Sequence, residues 1–376
     1  MSEIHVLAPG LLTTVEDLGR EGFGPMGVSP SGAADPIALR IGNRLVGNAE
    51  GAAGLEMTLL GGTFQFQGAC VAALTGSDFG ATLDDAPVSP WNSFKVEPGQ
   101  TLRLGPTRSG ARCYLCIEGG ISVPQFLGSA STHLLSGLGG HEGRALRKGD
   151  VLKIGDVPET KQKRTGKNAC STGSAHDSNR ARKVGAKTLE RLAPRKVLRV
   201  TPGPQSGWFS KADQKAFYAN TYRVTEEANR MGLRLEGPPL PEGAHGDASG
   251  KARGDASGKV REDAFGKARG EMISEGVSLG AVQIAAGGLP IILFVEQQTT
   301  GGYAKIANVI SADLHSLGQL RPRDEIRFEL VSFETARKLL IEQEKLLASE
   351  DLIVSTGIGH GGHREEKSAG TMLLKV

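Results

Sequence analysis

The chain has 376 residues, with 44 basic and 41 acidic side chains and a formal net charge of +3. That length accommodates two compact domains, and the charge balance gives no reason to expect nucleic acid or an anionic membrane as a partner. Roughly 18 consecutive apolar residues would be needed to cross a bilayer and none occur, the start Met1-Ser2-Glu3-Ile4-His5 lacks the regions of a secretory signal, and four cysteines make no disulfide scaffold, so a cytoplasmic protein is expected.

Glycine is abundant (53 residues) and aromatic side chains are sparse (5%), which predicts many short strands between turns. Residues 1–156 read as a first, mainly β domain. Gly62–Gln67, Cys70–Thr75 and Thr101–Leu104 are short segments bounded by Gly, Pro or Asp. Asp84-Asp85-Ala86-Pro87-Val88 reads as a hairpin. One helix stands out. Asp35 suits the N-cap and Pro36 the first helical position, Ile37, Ile41 and Leu45 form one stripe, and Gly47 can end it in a left-handed conformation.

Two motifs in this half are decoys. Gly22-Phe23-Gly24-Pro25-Met26-Gly27 has the letters of a dinucleotide fingerprint, but no apolar strand enters it and prolines stand where the helix should begin. Cys113-Tyr114-Leu115-Cys116 has redox spacing, yet it lies in an apparent strand, Ala111 to Ile117. Residues three apart there point to opposite faces and cannot form a two-cysteine clamp.

Residues 157–195 are rich in Lys, Arg and Ser and predict a disordered basic linker. A second β-rich domain spans 196–333, with strands at Val197–Val200, Pro290–Val295 and Glu325–Phe328. It carries a low-complexity insertion, 243–270, in which Gly246 to Arg253 recurs with a period of eight and almost no apolar residues. The stretch 334–376 predicts an amphipathic helix from Glu334 to Ala348, then a loose tail containing His360 and His363.

The most informative segment follows the apolar strand Ile291 to Val295. Gln298, Thr299, Thr300, Gly301, Gly302 and Tyr303 bring amide and hydroxyl groups to one rim, and the two glycines allow close backbone approach. Lys305 alternates with Ala304 to share a face with Tyr303. Arg230 offers a planar fork for a carboxylate or phosphate, and Glu275 is a candidate for proton transfer. No G-x-x-x-x-G-K-[ST] loop exists, so ATP would not be held by a P-loop.

Several blocks in order carry a resemblance: Thr14–Arg20, Gly27–Asp35, Leu74–Phe79, Gly137–Gly140, Gly143-Arg144, Arg230–Gly232, Gln298–Ala307 and Val309–Leu314. Together they resemble the KipA or 5-oxoprolinase C-subunit family, also described as biotin-dependent carboxyltransferase or allophanate-hydrolase subunit 2. The resemblance implies two cyclophilin-like β-barrel domains and a smaller partner of the KipI or 5-oxoprolinase B-subunit type. It further implies a third subunit and ATP-dependent opening of 5-oxo-L-proline to L-glutamate, with ATP held by the complex as a whole. Two alternatives remain. One is carboxyl transfer to urea or another amide, with biotin carried by another protein. The other is a non-catalytic protein binding a KipI-like kinase inhibitor. The sequence departs from the family pattern at Asn229, Leu233 and Ala304, where Asp, an aromatic residue and Pro are usual.

Overall fold

The computed structural model describes residues 2–156, 181–240, 273–285 and 287–356. The period-eight repeat, the basic run before residue 181 and the His360–His363 tail fall outside the described residues. Two β units account for most of the chain, as the mainly β reading expects.

In the first half two sheets wrap one core. Seven strands run in the order Ile121–Ser122, Val151–Ile154, Glu3–Ala8, Thr63–Phe66, Thr101–Arg103, Thr82–Leu83 and Ala86–Pro87. Five run Leu12–Glu16, Gly54–Thr58, Arg112–Ile117, Cys70–Gly76 and Ser93–Val96. Ile4, Phe64, Phe66, Leu55 and Leu115 meet between them. Asp84 and Asp85 both take positive φ, 45° and 70°, making the tight turn of the expected hairpin.

The helix Pro36–Val46 covers the other face of the five-stranded sheet, where Leu39, Ile41 and Leu45 pack on Ala73, Tyr114 and Cys116. Its ends are those the sequence predicts. Asp35 Oδ1 accepts from the Ala38 amide at 3.0 Å, and Gly47 is left-handed with φ 85°. The same sheet separates the two cysteines. Cys113 faces the core between the sheets and Cys116 faces the helix, and both thiols are free. Gly24–Met26 is a single 3-10 turn with no strand leading into it.

The second half is a closed barrel of Val197–Pro202, Ala304–Val309, Ala281–Ile284, Pro290–Leu293, Gly232–Glu236, Tyr222–Val224 and Glu325–Leu330. Parallel pairing of the first and last of these closes it. Leu198, Tyr222, Ile306 and a stacked Phe217–Phe328 pair, 4.6 Å between centroids, fill it.

The expectation of a linker without structure fails from residue 181 onward. Ala181–Val184 pairs with Ile353–Thr356, and the helix Ala186–Arg191 follows. Val184, Leu192 and Leu352 are buried against the Pro36–Val46 helix layer. The long helix Phe333–Ala348 also returns to the first half, where both Arg40 Nη atoms donate to the Glu344 carboxylate at 2.8 Å. A strand whose partner lies at the far end of the chain leaves no local signal, which is why the ordered part of the linker and the strand in the tail escape a sequence reading.

Asp35 both caps its helix and accepts from Gln319 Nε2 at 2.8 Å. Asp35→Ala should therefore cost about 1–2 kcal/mol in urea unfolding, the usual loss for an N-cap, and Asp35→Asn should cost less.

Candidate functional site

On the barrel strand Ala281–Ile284, Val282 and Ile284 face the core, so Gln283 between them faces outward. Lys305 is its neighbour in register on Ala304–Val309. A two-stranded ribbon, Glu275–Gly276 with Thr300–Gly301, covers both, with Glu275 opposite Gly301. A Cβ at Gly301 would stand 2.6 Å from Gln283 Nε2 and displace that amide, so the glycine lets the ribbon lie directly over it.

Beneath the ribbon the polar groups form a compact set. Lys305 is only 2% exposed, and its Nζ lies 2.8 Å from Glu275 Oε1. Gln205 Nε2 donates to the same oxygen at 2.8 Å, while the Lys305 amide donates to Gln205 Oε1 at 3.2 Å. Gln298 Nε2 donates to Gln283 Oε1 at 3.4 Å. Gln283 Nε2 and Gln297 Oε1 are buried without hydrogen-bond partners among the described residues. They are a donor and an acceptor available to a small polar ligand. Thr299 and Gly302 are half-buried, Thr300 is exposed, and Tyr303 stands 38% exposed at the rim. The structure thus brings Glu275, Gln298–Tyr303 and Lys305 together, and adds Gln205, Gln283 and Gln297. The hydrogen bonds from Lys305 and Gln205 hold the Glu275 carboxyl below its ordinary range. It is an ionised counter-ion to Lys305.

Arg230 lies elsewhere. It precedes the strand Gly232–Glu236, in a turn whose Asn229 Oδ1 accepts from the Met231 amide at 2.8 Å. Its guanidinium is buried between the two halves. It pairs with Glu296, with Glu56 Oε1 at 2.5 Å and with Glu16 Oε1 at 3.3 Å, and donates to the Gly32 carbonyl at 2.8 Å. Glu56 also takes Arg112 Nε at 3.2 Å, the Tyr114 hydroxyl at 2.7 Å and the Ala34 amide at 2.8 Å. The Leu134 amide donates to Glu296 Oε2 at 3.2 Å. None of the described contacts of the Arg230 guanidinium goes to the Lys305 rim. The fork offered for an incoming anion is already filled by three carboxylates of the chain itself.

Burial raises the Glu16 carboxyl well above its ordinary value, and Arg230 only partly offsets this. For Glu56 burial acts the same way, but Arg230 and Arg112 outweigh it and keep the carboxylate ionised. Glu56 carries the one sequence signal for this cluster that could have been read. It is a charge between Leu55 and Met57, in a strand whose alternate residues fill the core.

Comparison with known proteins places this arrangement. The model of the carboxyltransferase domain, subdomains A and B, matches residues 26–330. The chain is 35% identical to the 5-oxoprolinase C-subunit of Haemophilus influenzae over 341 residues, covering 91% of this chain and 95% of that one. The chain belongs to the 5-oxoprolinase C-subunit family. The Escherichia coli member is 36% identical over 91% of this chain and 96% of its own. Larger proteins contain the same unit. The crystal structure of the K. lactis urea amidolyase superposes with a TM-score of 0.75 at 31% identity, over 94% of this chain and 21% of that one. Every rim residue and Arg230 fall inside the matched carboxyltransferase span, and Glu16 falls before it.

Arg230→Ala leaves buried carboxylates uncompensated and should cost about 3–5 kcal/mol in denaturant unfolding. Glu16 gives a pH signature. A carboxyl whose pKa is raised on folding contributes stability below its unfolded pKa and loses it as pH rises through the folded value. Glu16→Gln should therefore gain thermal stability over the wild type as pH rises above the ordinary carboxylate range, read as a widening Tm difference.

Proposed function

We propose that this chain is the large subunit of an ATP-dependent 5-oxoprolinase complex that opens 5-oxo-L-proline to L-glutamate. The observation that carries this reading is the end-to-end match to the 5-oxoprolinase C-subunit, which covers nearly all of both chains. The partners under this reading are a KipI-like B-subunit and a third subunit. The setting is the cytoplasm. No helix among the described residues is long and apolar enough to cross a membrane.

A lactam is a poor electrophile because nitrogen donates into the carbonyl. Cleavage of ATP, bound elsewhere in the complex, would supply the free energy that drives the ring open. The chain has no P-loop, so we assign ATP to the assembled complex. The chain's own residues act on the lactam. The Lys305 ammonium faces the oxygen on which charge develops, and Glu275 and Gln205 fix its position. Gln298, Gln283 and Gln297 hold the ring amide and carboxylate through their amide groups, with Thr299 and Thr300 at the rim. Gly301 and Gly302 let backbone approach the substrate, and Tyr303 covers it. Water adds to the carbonyl carbon, the carbon–nitrogen bond breaks, and nitrogen leaves with a proton as the amine of glutamate. Arg230 serves as the structural tie that sets the rim against the first half.

Carboxyl transfer to urea or another amide is the second reading. It is favoured by the TM-score of 0.75 against the K. lactis urea amidolyase, and biotin would be carried by a partner.

The assay combines this chain with its partner subunits, ATP and 5-oxoproline, with urea and avidin arms in parallel. Lys305→Ala, checked for folding by circular dichroism, should lower kcat for glutamate formation by about a hundredfold or more, the usual loss when a charge-stabilising group is removed. Full glutamate production by this variant would remove the assignment. Turnover that needs urea and is blocked by avidin would replace lactam opening with carboxyl transfer.

A further inference from the structure

A cavity of 400 Å³ opens between the two halves. Its walls come from the start of the Pro36–Val46 helix, from the segment between Leu189 and Lys196, and from the His315–Asp324 turn. Neither Arg230 nor any residue of the Gln298–Lys305 rim lines it. The wall is largely apolar, built by Ile37, Trp91, Leu189 and Leu192.

One end is different. His315 and Arg195 line both this cavity and an adjoining recess of 230 Å³. His315 is 4% exposed, and neither ring nitrogen has a hydrogen-bond partner among the described residues. A buried polar group without a partner is costly and marks recognition capacity that the chain itself does not use. The Arg195 side chain has one long contact, Nε to the Val197 carbonyl at 3.4 Å, and pairs with no carboxylate among the described residues. The acidic groups nearby are already engaged. Asp324 pairs with Lys196 at 2.8 Å, and the Asp35 oxygens accept from Ala38 and Gln319, with the His315 ring within electrostatic reach of that carboxyl.

We propose that this cavity binds a small amphipathic monocarboxylate, its carboxylate between Arg195 and His315 and its hydrocarbon or aromatic body against Ile37, Trp91, Leu189 and Leu192. The volume falls within the roughly 300–1,000 Å³ of small-molecule sites, and an apolar wall with a few convergent polar groups is their usual form. The site serves an effector. Its ligand bridges both halves and touches Asp35, whose amide donates to the Tyr114 hydroxyl at 2.7 Å, while the adjacent Ala34 amide donates to Glu56 at 2.8 Å. Glu56 is the carboxylate that holds Arg230. Occupancy therefore bears on the tie between the halves without entering the Lys305 rim.

Calorimetric titration of the full chain with octanoate tests this, with octanol as the uncharged comparator of the same length. Ala193 and Arg195 are exposed, so Ala193→Trp, which fills the cavity, and Arg195→Glu, which reverses its charge, should leave the Tm unchanged. We expect saturable octanoate binding, weakened at least about tenfold (~1.4 kcal/mol) in each variant, and octanol binding weaker by a similar factor. Absence of saturable binding by octanoate and by benzoate would overturn the proposal. So would octanoate affinity unchanged in both variants, or octanol binding as tightly as octanoate.

Discussion

Where the two halves of this molecule meet, a buried guanidinium gathers three carboxylates. Arg230 comes from the second half, Glu16 and Glu56 from the first, and Glu296 from the end of the barrel strand that leads to the rim. Desolvating an arginine costs several kcal/mol, and a single carboxylate rarely recovers it. Here three surround it. Burial raises the Glu16 carboxyl well above its ordinary value, while Arg230 and Arg112 hold the Glu56 carboxyl below its own. Arg112 is placed by its own set, with Nε on Glu56, Nη1 on the Gly318 carbonyl at 2.7 Å and the Phe294 ring 5.4 Å from its carbon centre. Such a cluster adds little net stability compared with an apolar plug. It specifies one arrangement, because Arg230 reaches Glu56 and the Leu134 amide reaches Glu296 only when both halves are seated.

That constraint reaches the rim through a short piece of chain. The Glu296 amide donates to the Arg230 carbonyl at 2.8 Å, and Gln298 lies two residues further on. The ribbon over Lys305 is thus anchored at its root by the cluster and at its tip by the Glu275–Gly301 pairing. Loss of Arg230 releases the root, so loss of activity in an Arg230 variant says nothing by itself about contact with substrate.

The sequence made some features legible and hid others for one physical reason, the range of the interaction. Asp35, Pro36 and Gly47 act within their own helix, so the helix and its ends could be read from the letters. Cys113 and Cys116 follow the two-residue alternation of one strand, so their separation could be read as well. The rim could be found because an apolar strand ended in polar residues and glycines. Arg230 could not be placed, since its partners lie at Glu16, Glu56 and Glu296 and no local pattern joins them. The pairing of Ala181–Val184 with Ile353–Thr356 was hidden in the same way. Gln205 and Gln283 look like ordinary surface residues until Gly301 is seen packed over Gln283.

The balance of charge under the ribbon bears on what the rim can bind in the proposed reaction. Lys305 already has Glu275 against it at 2.8 Å, and that carboxylate stays ionised. A phosphate arriving at Lys305 would bring its negative charge against Glu275 and gain little from so compensated a cation. A lactam oxygen that is neutral in the ground state and becomes negative only as the carbonyl opens fits better. The lysine–carboxylate dipole is fixed in advance, and the charge it stabilises exists only in the transition state. Arg230 and Arg112 are not free to hold phosphate either, since both are committed to the tie between the halves.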